Sequence, residues 1–225
     1  MEPSVVDVSL WLLPLSEAPD DDDLRSLSAA EIARAERFVF PAVAARFVRT
    51  RAALRRRLAD ITGGRLEAIE IVEGEGGKPM LRGSDLQFNV SHTDSHGLIG
   101  VCRQARLGVD LERIRPIEAD LIADFFAPEE QAALARLSGP ARLAGLYRCW
   151  CRKEAFLKGL GVGLAAPLDE FAVSIDDPPT VIRCAFAPHD SWRLHAPDLG
   201  PELEAAISVE SFGAPVHVTL TRLPA

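Results

Sequence analysis

The strands of this chain are marked by the alternation of hydrophobic and polar positions. Four aliphatic residues alternate with three other residues between Val6 and Leu12, which predicts a strand with one buried face. Similar alternation, or a short apolar run bounded by turn residues, predicts further strands. These cover residues 66–72, 86–90, 97–101, 107–111, 171–175, 180–186, 192–195, 204–209 and 216–222.

The helices are indicated by their start signals. Ser28 with Glu31 forms a capping box that opens a short helix. Pro41 ends this helix and suits the first turn of a second one, predicted to run to about residue 60. Two more helices are predicted, one from Pro128 and one over residues 140–158. Because strands and helices cluster separately instead of alternating, we predict an α+β fold.

Length and composition limit the number of domains and the kinds of partner. With 225 residues, 48% of them apolar, the chain can form one large domain or two small ones. We place the junction near residues 103–106, which gives an N-terminal half of residues 1–104 and a C-terminal half of residues 105–225. The net charge of −8 argues against nucleic acid or an anionic membrane as a partner. No apolar run reaches 18 residues, so no membrane span is predicted.

Two further features bear on location and on surface charge. The four cysteines form no C-x-x-C pair and no signal peptide is recognisable, so we expect a reducing cytoplasm. The acidic run 20–23 is predicted to be a solvated loop. The second helix carries six arginines, which form either a cationic patch for phosphates or an acidic partner, or a solvated face. They are Arg46, Arg49, Arg51, Arg55, Arg56 and Arg57.

A pair of carboxylates provides the first candidate chemistry. In Gly108-Val109-Asp110-Leu111-Glu112, residues two apart on a strand share a face, so Asp110 and Glu112 point the same way. Two carboxylates about 5 Å apart repel by roughly 1–3 kcal/mol, and a hard divalent cation relieves this repulsion. Mg²⁺ typically takes one or two carboxylates and completes its shell with water and substrate phosphate. Two surface acids at the end of a strand are the alternative.

The helix over residues 140–158 provides the second candidate. Trp150, Glu154 and Lys158 follow at i, i+4 and i+8 and share one helical face. Because a large aromatic side chain usually faces inward, Glu154 and Lys158 are predicted to lie at the edge of the buried face. The alternative is an exposed i,i+4 ion pair worth about 0.2–0.5 kcal/mol.

Polar residues between the helix that begins at Pro41 and the one that begins at Pro128 provide the third candidate. Ser91 and His92 stand where a predicted strand ends, and a histidine there can donate to phosphate or titrate near neutrality. Upstream, Gly77-Lys78-Pro79 places a cation in a tight turn. A lone histidine is more often structural, so this element by itself leaves both interpretations open.

Together these elements resemble a known family. The ordered motifs Gly-Lys-Pro, Asn-Val-Ser-His-Thr, Gly-Val-Asp-Leu-Glu and Trp-x-x-Lys-Glu-Ala-x-x-Lys span Lys78 to Lys158. They are similar to those of the 4'-phosphopantetheinyl transferases, in particular the longer surfactin-synthetase-activator (Sfp-like) type. The resemblance implies an α+β fold of two similar halves in a pseudo-twofold arrangement, with the active site between them, in a monomer. No such duplication is visible in the sequence.

The resemblance also implies an enzyme, a transferase. It would move the 4'-phosphopantetheine group of coenzyme A to a serine of an apo acyl or peptidyl carrier protein and release 3',5'-ADP. The carriers would belong to fatty acid, polyketide or nonribosomal peptide synthases, in part for secondary metabolite biosynthesis. On this resemblance Asp110, Glu112 and Glu154 would bind Mg²⁺ with the pyrophosphate of coenzyme A, and Glu154 is a candidate base for the carrier serine.

The remaining implied roles concern coenzyme A. Lys158 would contact the α-phosphate and assist the leaving nucleotide, while Ser91 and His92 would bind coenzyme A, with His92 on its 3'-phosphate. Lys78 would be another phosphate contact, and Arg46 would lie near the adenine nucleotide. Two other functions remain open: a metal-dependent nuclease or phosphatase, and a non-catalytic module that binds carrier proteins or coenzyme A.

Overall fold

The computed structural model describes residues 5–103, 105–117, 123–163 and 166–224. Gln104, the last residue of the predicted N-terminal half, lies outside these ranges. Within them, none of the helices has the length and hydropathy that a membrane span requires.

The N-terminal half combines a sheet with one long helix. Its strands β1, β5 and β4 form a sheet in that order, with antiparallel neighbours, and β2 pairs with β3 in a separate hairpin. Its elements are β1 (Val6–Pro14), α1 (Asp21–Arg25), α2 (Ala29–Ala35), α3 (Pro41–Thr62), β2 (Ile71–Glu73), β3 (Pro79–Leu81), β4 (Gln87–His92) and β5 (His96–Cys102).

The C-terminal half repeats this plan. Its strands β6, β10 and β9 form an antiparallel sheet in that order, and β7 pairs with β8 in a hairpin. The last strand, β11, returns to the first sheet and pairs in parallel with β1. The elements are β6 (Leu107–Arg113), α4 (Pro128–Leu134), α5 (Gly139–Leu160), β7 (Phe171–Val173), β8 (Val181–Cys184), β9 (Trp192–His195), β10 (Leu203–Glu210) and β11 (Val216–Arg222).

The two halves therefore share one topology. Each runs from a strand through a 22-residue helix and a short hairpin to two more strands, and in each sheet the last strand lies between the first and the middle one. This confirms the predicted α+β class, and the topology contains the two similar halves that the resemblance implied. The repeat lies in the order of the elements, which explains why residue identities do not reveal it.

The halves are joined by a common apolar core. Leu10 and Leu98 from the first sheet belong to the same buried cluster as Val109 and Ile207 from the second. Helix α5 approaches β6 very closely at Gly108, where an added Cβ would lie 2.0 Å from the Ala155 carbonyl oxygen. Glycine is the residue that permits this contact, and it fixes α5 directly over the strand that carries Asp110 and Glu112.

Two sequence predictions are wrong in the N-terminal half. The acidic run is not a solvated loop but begins α1, where Asp20 caps the helix and Asp23 is buried against Arg56 at 2.9 Å. Residues 66–72 are not one strand, because Leu66–Ala68 forms a 3₁₀ turn before β2 begins. The Arg55 guanidinium donates to the Leu66 and Ile69 carbonyl oxygens at 2.7 and 2.8 Å, which replaces the ladder a strand would need.

The arginines of α3 belong largely to the interior of this half. Arg55 is buried, and most of the others face acidic side chains of α1 and α2, so these arginines do not form a solvated face. The ion pairs are Arg49 with Glu17 and Asp23, Arg51 and Arg55 with Glu31, Arg56 with Asp23, and Arg57 with Asp60.

Candidate active site

The site begins where β4 of one half meets β6 of the other. The Asn89 side-chain oxygen accepts a hydrogen bond from the Val109 backbone N–H at 2.8 Å. Two residues further along β4, the Ser91 hydroxyl donates to Asp110 Oδ1 at 2.9 Å. Alternation along β4 places Asn89 and Ser91 on one face, so this face binds the strand that carries the acidic pair.

Three carboxylates gather on the α5 side of β6. Asp110 and Glu112 share a face of the strand, as predicted, and Glu154 lies on α5, which packs across that strand. Burial is the main cause that raises the pKa of Glu154, to about 7, and the charges of Asp110 and Glu112 add to it. Burial and the Asp110 charge also raise the pKa of Glu112. The site therefore concentrates negative charge where water cannot fully compensate it.

Lys158 partly neutralises this cluster. Its ammonium lies 2.6 Å from Asp110 Oδ1 and 3.2 Å from the Ser91 hydroxyl. The alternative of an exposed i,i+4 pair with Glu154 is therefore wrong, since Glu154 is buried and the contact of Lys158 is with Asp110. This ion pair joins the end of α5 to the middle of β6.

Whether a divalent cation suits the site can be judged from the carboxylate oxygens that make no hydrogen bond. Asp110 Oδ2 and Glu154 Oε1 are buried, and neither has a hydrogen-bond partner among the described residues. Unpaired buried carboxylate oxygens are costly, and oxygen donors are those that Mg²⁺ prefers. No group of three or more acidic, histidine or cysteine side chains in the described ranges is already arranged around one metal position. The carboxylate oxygens therefore suit a divalent cation, although one of them, Asp110 Oδ1, is bound by the Lys158 ammonium.

Trp150 was predicted only to face inward, and the structure gives it a function in the site. A side-chain hydrogen bond joins its indole to the Glu112 carboxylate, which counteracts the rise in the pKa of that group. The indole N–H is the donor, because tryptophan has no acceptor. Phe126 stacks against Trp150 with ring centroids 6.4 Å apart. The helical spacing of Trp150 and Glu154 was the available signal for this role.

A cavity of about 230 Å³ opens on the other face of β4. Phe88, Val90 and His92 line it from the strand, and α3 lines the opposite wall. Its complete lining is Arg34, Phe47, Thr50, Arg51, Leu54, Pro79, Phe88, Asn89, Val90 and His92.

Two arginines line this cavity, and two further cations lie near His92 in its wall. The pKa of His92 is lowered by partial burial of its ring first and by the neighbouring charges of Arg46 and Lys158 next. The guanidinium carbons of Arg34 and Arg51 lie 5.3 and 5.5 Å from the centre of the Phe47 ring. The structure therefore brings Arg46, Ser91, His92 and Lys158 to one region. Arg51 is one of the six arginines considered for a phosphate patch, and Arg34 and Phe47 are additions that the sequence did not reveal.

Lys78 has a different environment from the other predicted site residues. Its ammonium donates to the backbone carbonyl oxygens of Leu107 at 2.7 Å and of Gly159 at 3.3 Å. Burial, with a smaller contribution from the Arg106 charge, lowers the pKa of Lys78 to about 8. Lys78 lines a second, more open cavity between the turn that carries it and the end of α5.

Comparison with known proteins agrees with this geometry. The family model described as the 4'-phosphopantetheinyl transferase superfamily matches residues 106–208, which include all three carboxylates and α5. The chain is 34% identical to 4'-phosphopantetheinyl transferase HetI of Nostoc sp. over 215 residues, which cover 92% of this chain and 89% of that relative. It is 31% identical to 4'-phosphopantetheinyl transferase psf-1 of Bacillus pumilus, with 84% and 81% coverage. Identity to 4'-phosphopantetheinyl transferase Sfp of Bacillus subtilis is 26%, with 65% of each chain covered.

Proposed function

Because this chain belongs to the 4'-phosphopantetheinyl transferase superfamily, we propose that it moves the 4'-phosphopantetheine group of coenzyme A onto a serine of an apo carrier protein. The serine Oγ forms a bond to the β-phosphorus of coenzyme A. The bond from that phosphorus to the bridging oxygen of the pyrophosphate breaks, and 3',5'-ADP leaves. The observation that carries the proposal is the juxtaposition of Asp110, Glu154 and Lys158 beside an arginine-lined cavity.

We assign the metal position to Asp110, Glu112 and Glu154, with Mg²⁺ as the ion. Support comes from the two buried oxygens that have no hydrogen-bond partner among the described residues, and from the oxygen-only donor set. When bound, the ion would neutralise charge on the pyrophosphate and on the leaving nucleotide. Trp150 holds the Glu112 carboxylate in orientation through its indole N–H.

Proton removal from the carrier serine is assigned to Glu154. The pKa of about 7 is that of the metal-free site, and a bound cation would favour the ionised carboxylate, which is the form that can accept the serine proton. Lys158, whose ammonium lies 2.6 Å from Asp110 Oδ1, would leave Asp110 to contact the phosphates of coenzyme A. A lysine is a flexible point charge and can make this move without a change in the helix.

The cavity beside β4 is assigned to the nucleotide end of coenzyme A. Arg34, Arg51 and His92 can donate to phosphate oxygens, and Phe47 offers a flat apolar surface. Thr50 in the cavity wall has a buried hydroxyl with no hydrogen-bond partner in the described part of the chain. Arg46 adds positive charge at His92, consistent with a contact to the same nucleotide.

The finer assignments follow the family resemblance. We propose that the chain acts as a monomer in the cytoplasm and serves acyl or peptidyl carrier domains of fatty acid, polyketide or nonribosomal peptide synthases, including those of secondary metabolism. The reduced state expected for cysteines without C-x-x-C spacing supports the compartment. Measuring kcat/KM for apo carriers from each of the three synthase classes would show which class the protein serves best.

Intact-protein mass spectrometry tests the proposal directly. An apo carrier incubated with the protein, coenzyme A and Mg²⁺ should gain the mass of one phosphopantetheine group, and chelation by EDTA should stop the gain. Glu154→Gln should abolish this mass gain. Glu170→Gln should not, because Glu170 is an exposed acid that directly precedes β7. Cleavage of DNA or of simple phosphoesters with no mass gain on any carrier would favour a phosphoesterase instead. Binding of coenzyme A without either reaction would favour the non-catalytic module.

A further inference from the structure

Three backbone segments meet tightly at the C-terminal end of α5. They are the turn before β3, the start of β6 and the residues that end the helix. An added Cβ at Gly76 in the turn would lie 2.1 Å from the Gly161 carbonyl oxygen, so this turn touches the helix end itself. Gly108 makes the equally close approach of β6 to α5 described above. Side chains also connect these segments: the Arg106 guanidinium, just before β6, donates to the Leu160 carbonyl oxygen at the helix end.

Lys78, which lies on the turn, connects that turn to both of the other segments. Its ammonium is shared by the Leu107 carbonyl oxygen at 2.7 Å and the Gly159 carbonyl oxygen at 3.3 Å. The last four carbonyl groups of a helix have no donor within the helix, and positive charge is favourable there. Lys78 therefore satisfies an acceptor of α5 and one of β6 with the same group.

The two acceptors are close in sequence to the site. Gly159 directly follows Lys158, and Leu107 lies three residues before Asp110 on the same strand. Sliding α5 by one residue along its axis moves its side chains by about 1.5 Å. A displacement of that size would shift the Glu154 carboxylate and the backbone of Lys158 relative to Asp110.

We propose that Lys78 is a positioning residue that fixes the register of α5 against β6, and thereby aligns Glu154 and Lys158 with Asp110. This inference rests on the proposed transferase function. It differs from the phosphate contact that the family resemblance implies for Lys78. An ammonium has three donors, and two of them are already given to backbone carbonyls of the protein.

The energetic cost of this arrangement supports a positioning role. Burial disfavours the charged form of Lys78, and Arg106 nearby adds repulsion. Neutral carbonyl groups compensate this cost less well than a carboxylate does. The connection that Lys78 makes between α5 and β6 accounts for a buried ammonium at this position.

Steady-state kinetics of Lys78→Met separates the two roles. Methionine keeps an apolar stem of similar length and removes the ammonium. Positioning predicts that kcat falls at least tenfold while the KM for coenzyme A stays within twofold, because the nucleotide cavity is unchanged. Lys78→Arg retains donors for the carbonyls and should recover part of kcat. Arg82→Met, which removes an exposed cation paired with Glu70 near the same hairpin, should leave both constants unchanged.

A tenfold rise in KM for coenzyme A with kcat retained would overturn the proposal and support a phosphate contact. If Lys78→Met does not fold, the same split measured on Lys78→Arg decides, with an altered KM again counting against positioning. Amide hydrogen exchange gives a readout without turnover: exchange at residues 159–161 and at the start of β6 should increase together in Lys78→Met. An increase confined to the turn before β3 would refute the register role. A wild-type protein that transfers nothing would instead sink the proposed function, and hydrogen exchange would still decide the role of Lys78.

Discussion

Replacing Glu154 with glutamine should make the metal-free protein more stable at pH 8, although the same change abolishes catalysis. The native environment raises the pKa of Glu154 from an ordinary 4.5 to about 7. Between these values the native state holds a proton that the unfolded chain has lost. Stability therefore falls as the pH rises through this window, because the native state binds more protons than the unfolded one.

The size of the effect follows from the same two values. Moving a carboxyl pKa from 4.5 to about 7 costs about 3 kcal/mol of folding free energy once both states are ionised. The linkage relation gives a cost of about 1 kcal/mol at pH 5 and about 3 kcal/mol at pH 8. Glutamine has nearly the same shape and carries no charge, so it avoids this cost at every pH.

Urea denaturation of the two proteins in EDTA measures the difference. Glu154→Gln should exceed wild type by about 1 kcal/mol at pH 5 and by about 3 kcal/mol at pH 8, and Glu170→Gln should match wild type at both. Saturating Mg²⁺ should narrow the gap at pH 8, because a bound cation favours the ionised carboxylate. A free-energy difference that does not change between pH 5 and pH 8 would show that Glu154 titrates normally and would contradict the raised pKa.

Three further substitutions probe the frame around the site. Gly108→Ala should reduce transfer more than tenfold and lower the Tm, because its Cβ would meet the Ala155 carbonyl oxygen at 2.0 Å; unchanged kinetics would show that α5 can move freely. Lys153→Met should cost about 3–5 kcal/mol in urea denaturation, since it leaves the fully buried Glu130 carboxylate without its cation, and Lys153→Met with Glu130→Gln should regain part of that loss. Lys158→Met should bind Mn²⁺ more tightly in calorimetric titration without coenzyme A, because the ammonium no longer competes for a carboxylate oxygen; equal affinity would contradict this competition.

Local patterns predicted most elements of this fold. Strand β9 and strand β11 have the predicted bounds, and α3 begins at Pro41 as expected. Helix α1 could not be recognised, since its acidic run is stabilised by arginines that lie about 30 residues further along the chain. The 3₁₀ turn after α3 likewise depends on the Arg55 side chain, which a local pattern cannot anticipate.

Periodicity alone predicted the site only where its residues lie on one element, and the grouping of Asp110 and Glu112 with Glu154 came from the family resemblance. The period of a strand places Asp110 and Glu112 together, and the period of a helix places Trp150, Glu154 and Lys158 on one face. Contacts between elements did not follow from either period. The pairing of Lys158 with Asp110 instead of Glu154 needs the crossing of α5 over β6.

The same limit applies to Lys78. A cation in a glycine-rich turn resembles a phosphate ligand in sequence. Its two backbone partners become visible only when three distant segments are brought together.

The parallel pairing of β11 with β1 has a consequence for how the chain is made. Val6 pairs with Val216 and Leu12 with Arg222, so one edge of the first sheet is covered by a strand that follows the rest of the C-terminal half in the sequence. Chains fold from the N-terminus as they emerge from the ribosome, and an open strand edge invites pairing with other chains. The β11 side of β1 in the nascent N-terminal half therefore stays unpaired while the C-terminal half is translated. Aggregation during synthesis should accordingly begin at β1, and a circularly permuted chain in which β11 is translated before β1 should be less prone to it.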